Sequence, residues 1–292
     1  MGNKIKYIPG RNNLALTIFV PYNCNNNCKF CTSKDDYKDM TDFSMDKILE
    51  SIHLIGDLKY ITDIVLTGGE PFADLNGLQE ILNTCKELHK NIFINTTLPI
   101  NNKEDFIKTL NFIIENKDVI NGINVSRHMS MPFGNEDLSN TLIKYVSLAH
   151  GVNIKINSVL FNDNYTDTDV KEFIKKYWFF VNNISFRGDY RKIKDQNDLR
   201  GLEHPLLNIL FNIKLLNYLS SGGCLVCNNN DFMLKKNNKT TYISLHRGYE
   251  HSLVKKGNNY IVNDIIIKQN GNILVDWDGE LLDIDNIKKQ WR

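Results

Sequence analysis

An alternation of strand and helix signals runs from residue 14 to residue 219 and constrains this chain more than any other feature. Residues 14–20 are apolar and rich in β-formers, and Pro21 stops them. Residues 44–57 carry apolar side chains at helical spacing (Met45, Ile48, Leu49, Ile52, Ile55), with Ser44 as the N-cap. Strand-type runs follow at 63–67, 92–95, 122–126, 153–160 and 183–186. They alternate with helical patterns at 75–89, 103–116, 136–150, 168–178 and 205–219, and Gly151 closes the fourth of the full set as a C′ residue. Six such units predict a parallel α/β sheet with right-handed crossovers. Six are too few for a closed eight-stranded barrel, so an open, partial (β/α)6 barrel fits best; a doubly wound sheet is the competing arrangement. In either, ligands gather at the carboxyl ends of the strands.

The pattern changes after Ser220-Ser221-Gly222-Gly223. Short strand signals appear at 242–245, 260–268 and 272–277, and Asn270-Gly271 is a hairpin turn. The expected organisation is a barrel over 1–220 and a small C-terminal β-rich subdomain over 221–292.

Composition narrows the setting. The 292 residues carry 35 Lys and Arg against 34 Asp and Glu, a net charge of +1, which argues against holding nucleic acid by bulk charge. No apolar run approaches 18 residues and no signal core follows Met1, so the expectation is no membrane and a cytoplasmic location. There, the six cysteines are thiols or metal ligands before they are disulfides.

The cysteines divide by placement. Cys24-x3-Cys28-x2-Cys31 follows the first strand and so occupies a carboxyl-end loop. Thiolates at that spacing wrap one soft metal centre, and a cubane with three protein ligands leaves one iron open to a ligand. A structural zinc site with a remote fourth ligand is the alternative. Cys85 shares an apolar helix face with Ile81, Leu82 and Leu88, where a thiol behaves as a small hydrophobe. Cys224-x2-Cys227 is a half-site. With His246 and His251 it has the residue types of a zinc site, and a pair of reduced or redox-active thiols is the other reading.

The stretch Cys24-x3-Cys28-x-Phe30-Cys31 resembles the signature of the radical S-adenosylmethionine (radical SAM) superfamily, and Thr67-Gly68-Gly69-Glu70-Pro71 resembles that family's GGEP segment. The likeness covers roughly residues 14–190 and implies a partial (β/α)6 barrel. It implies that Cys24, Cys28 and Cys31 ligate a 4Fe–4S cluster whose fourth iron takes SAM. Phe30 would flank the adenine, and Gly68, Gly69 and Glu70 would meet the methionine end. Two glycines allow close backbone approach, and Glu70 is an acceptor for the amino group. By the same resemblance, Thr96, Ser126 and Asn157 are further candidate cofactor contacts at strand ends. The segment Lys155-Ile156-Asn157-Ser158-Val159 resembles one in MoaA and viperin, and Ser126 sits where those relatives place a ribose-contacting hydroxyl. Arg127, His128 and Arg187 are the catalytic candidates, with His128 suited to move a proton near neutral pH. The C-terminal hairpin is similar to that of twitch or SPASM extensions, which hold an auxiliary cluster. Here Val275-Asp276-Trp277 supplies no cysteine, so a second metal at Cys224 and Cys227, zinc or an auxiliary iron–sulfur cluster, is left open.

The implied activity is reductive cleavage of SAM to a 5′-deoxyadenosyl radical, which takes hydrogen from a peptide or small metabolite. Electrons would come from a donor such as flavodoxin or ferredoxin. The same chemistry on a nucleotide or nucleic-acid base is the second reading; a non-catalytic metal-binding structural or sensing protein is the third.

Overall fold

The computed structural model describes residues 5–20, 24, 26, 28–29, 31, 42–129, 136–160, 165–189, 205–222, 229–246, 253–275 and 279–292. Strands β1 (Lys6–Pro9) and β2 (Leu14–Val20) open the chain. The repeat then runs α1 (Met45–Ile55), β3 (Ile61–Gly68), α2 (Leu75–Lys86), β4 (Asn91–Thr96), α3 (Lys103–Glu115) and β5 (Ile120–Ser126). It continues through α4 (Glu136–His150), β6 (Ile154–Leu160), α5 (Asp167–Tyr177), β7 (Asn183–Gly188) and α6 (205–212). Strands β8 (Leu216–Gly222), β9 (Asn229–Lys236), β10 (Lys239–His246), β11 (Leu253–Lys256), β12 (Asn259–Val262), β13 (Asp264–Ile267) and β14 (Ile273–Leu274) follow, and α7 (Ile284–Trp291) ends the chain.

Local chemistry sets the helix starts. Ser44, Asp74, Asn102 and Thr166 each cap the following helix by accepting a backbone N–H, and Thr166 with Asp169 forms a full capping box. Gly151, at φ 69°, follows α4 as its turn signal requires.

The strand order decides between the two candidate architectures. One sheet runs β14-β13-β2-β3-β4-β5-β6-β7-β10-β9-β8. From β2 to β7 the order is sequential and every pairing is parallel. A doubly wound sheet would reverse direction at a switch point; this one does not, and it is the sheet of a partial barrel. The later strands extend the same sheet at both edges. β10 lies parallel to β7 and β13 parallel to β2, so eight adjacent strands are parallel, two of them from outside the strand–helix repeats. A second, three-stranded sheet has the order β1-β12-β11.

Residues alternate across the main sheet. Ile64, Leu66, Ile92, Ile94, Ile123, Val125, Ile154, Ile156, Ile184 and Phe186 are buried in the main core, with apolar residues of the helices such as Ile48, Ile52, Leu78 and Ile81. The opposite residues, among them Val65, Phe93, Asn124, Lys155 and Asn183, line a cavity of about 410 Å³ on the concave face.

Two expectations change. The helical pattern at 205–219 ends at 212, because its buried residues (Leu206, Leu210, Ile213) stop there. Beyond it Tyr218 pairs with Phe232 in the β8–β9 ladder and stacks on the Phe211 and Phe232 rings, so strand pairing overrides helical spacing. The run expected at 260–268 is broken at buried Asn263, and its halves β12 and β13 join different sheets. The Asn270-Gly271 hairpin forms as expected. Gly271 has φ 80°, and a Cβ there would lie 2.9 Å from the Lys47 backbone of α1.

Neither β1 nor α7 carried a recognised signal. α7 buries Ile287 and Trp291, and Trp291 Nε1 donates to the Tyr7 carbonyl of β1 at 3.0 Å. Among the described residues, no helix is long and apolar enough to cross a membrane.

Candidate active site

The end of β3 is shaped by one glycine. Gly68 has φ 108°, and a Cβ there would lie 3.1 Å from the Phe19 Cα and the Val20 nitrogen. Only glycine lets β3 finish this close to the end of β2, where the cysteine loop departs. Pro71–Ala73 then makes one 3₁₀ turn with Glu70 as its N-cap, Oε1 accepting from the Phe72 amide at 3.2 Å.

Glu70 does more than cap. Its side chain is buried, and its carboxylate also accepts from the Thr96 hydroxyl, the Thr97 amide (2.8 Å) and the Thr97 hydroxyl (2.7 Å). These four donors fill the lone-pair positions of both oxygens. Burial pushes the Glu70 pKa above the ordinary carboxylate range, and the hydrogen bonds from Thr96, Thr97 and Phe72 pull it back. Thr96 accepts from the Leu98 amide at 2.6 Å, so its hydroxyl is committed on both sides. Asn26, inside the cysteine loop, donates to the Thr97 hydroxyl at 2.8 Å. The chain Asn26–Thr97–Glu70 thus ties the cysteine loop to the ends of β3 and β4.

Arg127 braces the next strand end. It is 1% exposed. Its Nη1 donates to the carbonyls of Thr97 (2.7 Å) and Ser126 (2.8 Å), its Nε to Asn140 Oδ1 (3.2 Å) and its Nη2 to the Ser139 hydroxyl (2.5 Å). Ser139 in turn donates to the Leu98 carbonyl at 2.6 Å. Burial lowers the Arg127 pKa, partly offset by Tyr177, Glu136 and Glu70. The guanidinium therefore joins β4, β5 and α4, and in this structure it acts as a positioning group.

His128 follows. Its Nδ1 accepts from the Val159 amide at 2.9 Å, tying β5 to β6. Burial, with Arg127 beside it, pushes its pKa down to about 3. The ring is neutral at physiological pH, outside the range in which the sequence reading has it exchange a proton.

Cys24, Cys28 and Cys31 are half-buried thiols in no disulfide, and the Cys31 amide donates to the Cys28 carbonyl at 3.2 Å, curling the loop. Burial raises the Cys24 pKa, and the charges of Glu70 and Cys31 add to that rise, which places the three groups within electrostatic reach. Among the described residues, no three Cys, His, Asp or Glu side chains converge on a metal position. The donor chemistry, three thiols on one loop at a strand end, still suits a soft metal centre. Cys85 is fully buried, and burial pushes its thiol up to about 12.

Of the other expected residues, Ser126 and Asn157 are cross-strand neighbours on β5 and β6. Arg187 stands on β7 opposite Val159. Phe30, Cys224, Cys227 and His251 lie outside the described residues. A cavity of about 930 Å³ lies on the α2–α3 side of the rim, with Asn26, Glu70, Thr97 and Arg127 among its lining residues. Asn26, Thr97, Ser139 and Asn140 were missed as site builders. For Asn26 and Thr97 a clue existed, since one lies between two motif cysteines and the other beside Thr96; for Ser139 and Asn140 none did.

The Radical SAM superfamily model matches residues 18–126. SuiB of Streptococcus suis bound to its precursor peptide SuiA is 15% identical, with a TM-score of 0.59; the match covers 90% of this chain and 59% of that one. SuiB alone gives 19% identity, a TM-score of 0.50 and coverages of 69% and 47%. SuiB bound to S-adenosylmethionine gives 18%, 0.49, 68% and 45%. The chain thus spans between 45% and 59% of the SuiB chains it matches. At these identities the likeness shows the fold. None of the curated proteins compared matches.

Proposed function

Residues 18–126 belong to the radical SAM superfamily, and from that premise we propose that the chain is an enzyme that binds SAM and a 4Fe–4S cluster at the carboxyl rim of its barrel. One observation carries the reading: the cysteine loop and Glu70 are joined at that rim through Asn26 and Thr97. Cys24, Cys28 and Cys31 would hold the cluster. The chemistry that the cluster and SAM supply when bound is one-electron cleavage of a SAM carbon–sulfur bond, giving a 5′-deoxyadenosyl radical.

The chain's own residues do the positioning. Gly68 brings the end of β3 against β2, so backbone groups can approach a ligand closely. Glu70 holds the strand-end loops in register through its four bonds and adds negative potential for a cationic amino group. Ser126 and Asn157, adjacent across β5 and β6, would meet the cofactor's polar groups. Arg127 fixes the loops that carry them.

The substrate we assign is a peptide or small metabolite, consistent with the shared fold of SuiB, whose structure holds a precursor peptide. An external one-electron donor of the flavodoxin or ferredoxin type and a reducing, cytoplasmic setting complete the reading. Anaerobic reconstitution with iron and sulfide tests it. Three or four irons per chain and 5′-deoxyadenosine formed on adding SAM and reductant are expected. Zinc in place of iron, or undiminished 5′-deoxyadenosine in a Cys24→Ala variant, would sink it. The same metal count reports on Cys224 and Cys227.

A further inference from the structure

On the concave side of the sheet, β5, β6, β7 and β10 stack polar residues in rows. Cross-strand pairing puts Asn124, Lys155, Asn183 and Tyr242 in one row and Ser126, Asn157, Ser185 and Ser244 in the next. Nearer the carboxyl ends lie Val159, Arg187 and His246. Residues two apart on a strand share a face, so Lys155, Asn157, Ser185, Arg187 and His246 lie on the face that lines the inner cavity.

Three of these residues have a buried atom that can donate to a ligand and has no hydrogen-bond partner: Arg187 Nε, His246 Nε2 and Ser185 Oγ. Ser185 is 0% exposed. Buried polar atoms are nearly always paired, so three together on adjacent strands call for a reason. Replacing them with apolar groups would cost the fold nothing evident. A bound ligand supplies the missing partners.

The donor set says what kind. Arg187 offers a fixed fork of N–H donors, Ser185 a hydroxyl and His246 a ring nitrogen. The charge on Lys155 bears on the same place: Arg187 and Lys155, after burial, are what push the His246 pKa down to about 2, so the imidazole stays neutral beside two cations.

We propose that Arg187, Ser185 and His246 form the subsite for an oxyanion carried by the substrate. The shared chemistry is that of a carboxylate or phosphate oxygen meeting a guanidinium and neutral donors. That the anion belongs to the substrate rests on the function proposed above. The position, on β7 and β10, lies one strand beyond the residues assigned to SAM, of which Asn157 on β6 is the nearest, paired with Ser185. One of its residues comes from β10, beyond the strand–helix repeats.

The test is binding to the anaerobically reconstituted full chain, with neither SAM nor reductant added. Calorimetric titration would use glutarate as the carboxylate probe and AMP as the phosphate probe, with glutaramide and adenosine as neutral counterparts. The expected result is binding of one anion that weakens about 10- to 100-fold in Arg187→Gln and recovers in part in Arg187→Lys. Glutarate then identifies a carboxylate substrate, AMP a phosphorylated one. Binding unchanged in Arg187→Gln, equal binding of the neutral counterparts, or no binding of either anion would overturn the proposal. Because these atoms have no internal partners to lose, Arg187→Gln and Ser185→Ala should melt no lower than the wild type; a fall of several degrees in both would also overturn it. Anion binding requires no electron transfer, so intact binding without 5′-deoxyadenosine formation would count against the proposed reaction and leave the subsite standing.

Discussion

At the ends of β3, β4 and β5 the buried polar side chains satisfy one another. Glu70 accepts four hydrogen bonds, and Arg127 donates to two carbonyls and two side chains. Across the arc, on β6, β7 and β10, Asn157, Ser185, Arg187 and His246 leave buried atoms without a partner. The two regions belong to one sheet and have similar residue types. The first is an internally closed network that rigidifies the loops around it; the second is incomplete without something that the chain does not supply. The difference separates residues that build a site from residues that serve a ligand.

That contrast can be broken, and the largest effects come first. Alanine at Cys24, Cys28 or Cys31 is expected to abolish 5′-deoxyadenosine production and lower the iron count without shifting the melting curve of the metal-free chain. Next, Arg127→Leu strands the Thr97 and Ser126 carbonyls and should cost about 3 kcal/mol in urea unfolding; no loss would show that the rim does not depend on its brace. Glu70→Gln turns one acceptor into a donor facing the Thr97 amide and hydroxyl. A loss of about 1–3 kcal/mol is expected, with SAM cleavage falling alongside.

A pH series sharpens the comparison from another side. The folded-state pKa values of His128 and His246 are depressed, to about 3 and about 2. Below pH ~6.5 the unfolded chain takes up these protons and the folded chain does not. Their contribution to stability is therefore full above pH ~6.5 and is lost as pH falls toward the folded values, at up to ~1.4 kcal/mol per pH unit for each ring. His128→Gln should flatten the stability–pH curve between pH 6 and 4 by about one proton; an unchanged slope would mean that the ring is not held neutral. The smallest effect is the most diagnostic. Ser185→Ala should change stability by less than about 1 kcal/mol, toward greater stability, opposite in sign to Arg127→Leu.

Much of the architecture was legible in the chain itself. Apolar periodicity marked the six strand–helix units, because burial against a helix or a sheet imposes a repeat of 3.6 or 2 residues whatever the neighbours are. The cysteine spacing and the Gly68-Gly69-Glu70 turn were legible for a similar reason: a loop that approaches a ligand closely needs particular residues at consecutive positions. The roles of Arg127 and His128 were not. As strand-end polar residues they looked available for chemistry, and only packing showed one spent as a brace and the other held neutral.

Sequence by itself thus determined the repeat, the parallel sheet and the rim on which the cysteine loop sits, all of which depend on residues close together in the chain. Tertiary structure decided the rest. It placed β10 and β13 at the two edges of the barrel sheet, brought Asn26 to Thr97, and set Arg187 of β7 beside His246 of β10. These pairs are separated by tens to hundreds of residues, and no local periodicity encodes which strand edge will be satisfied by which distant segment.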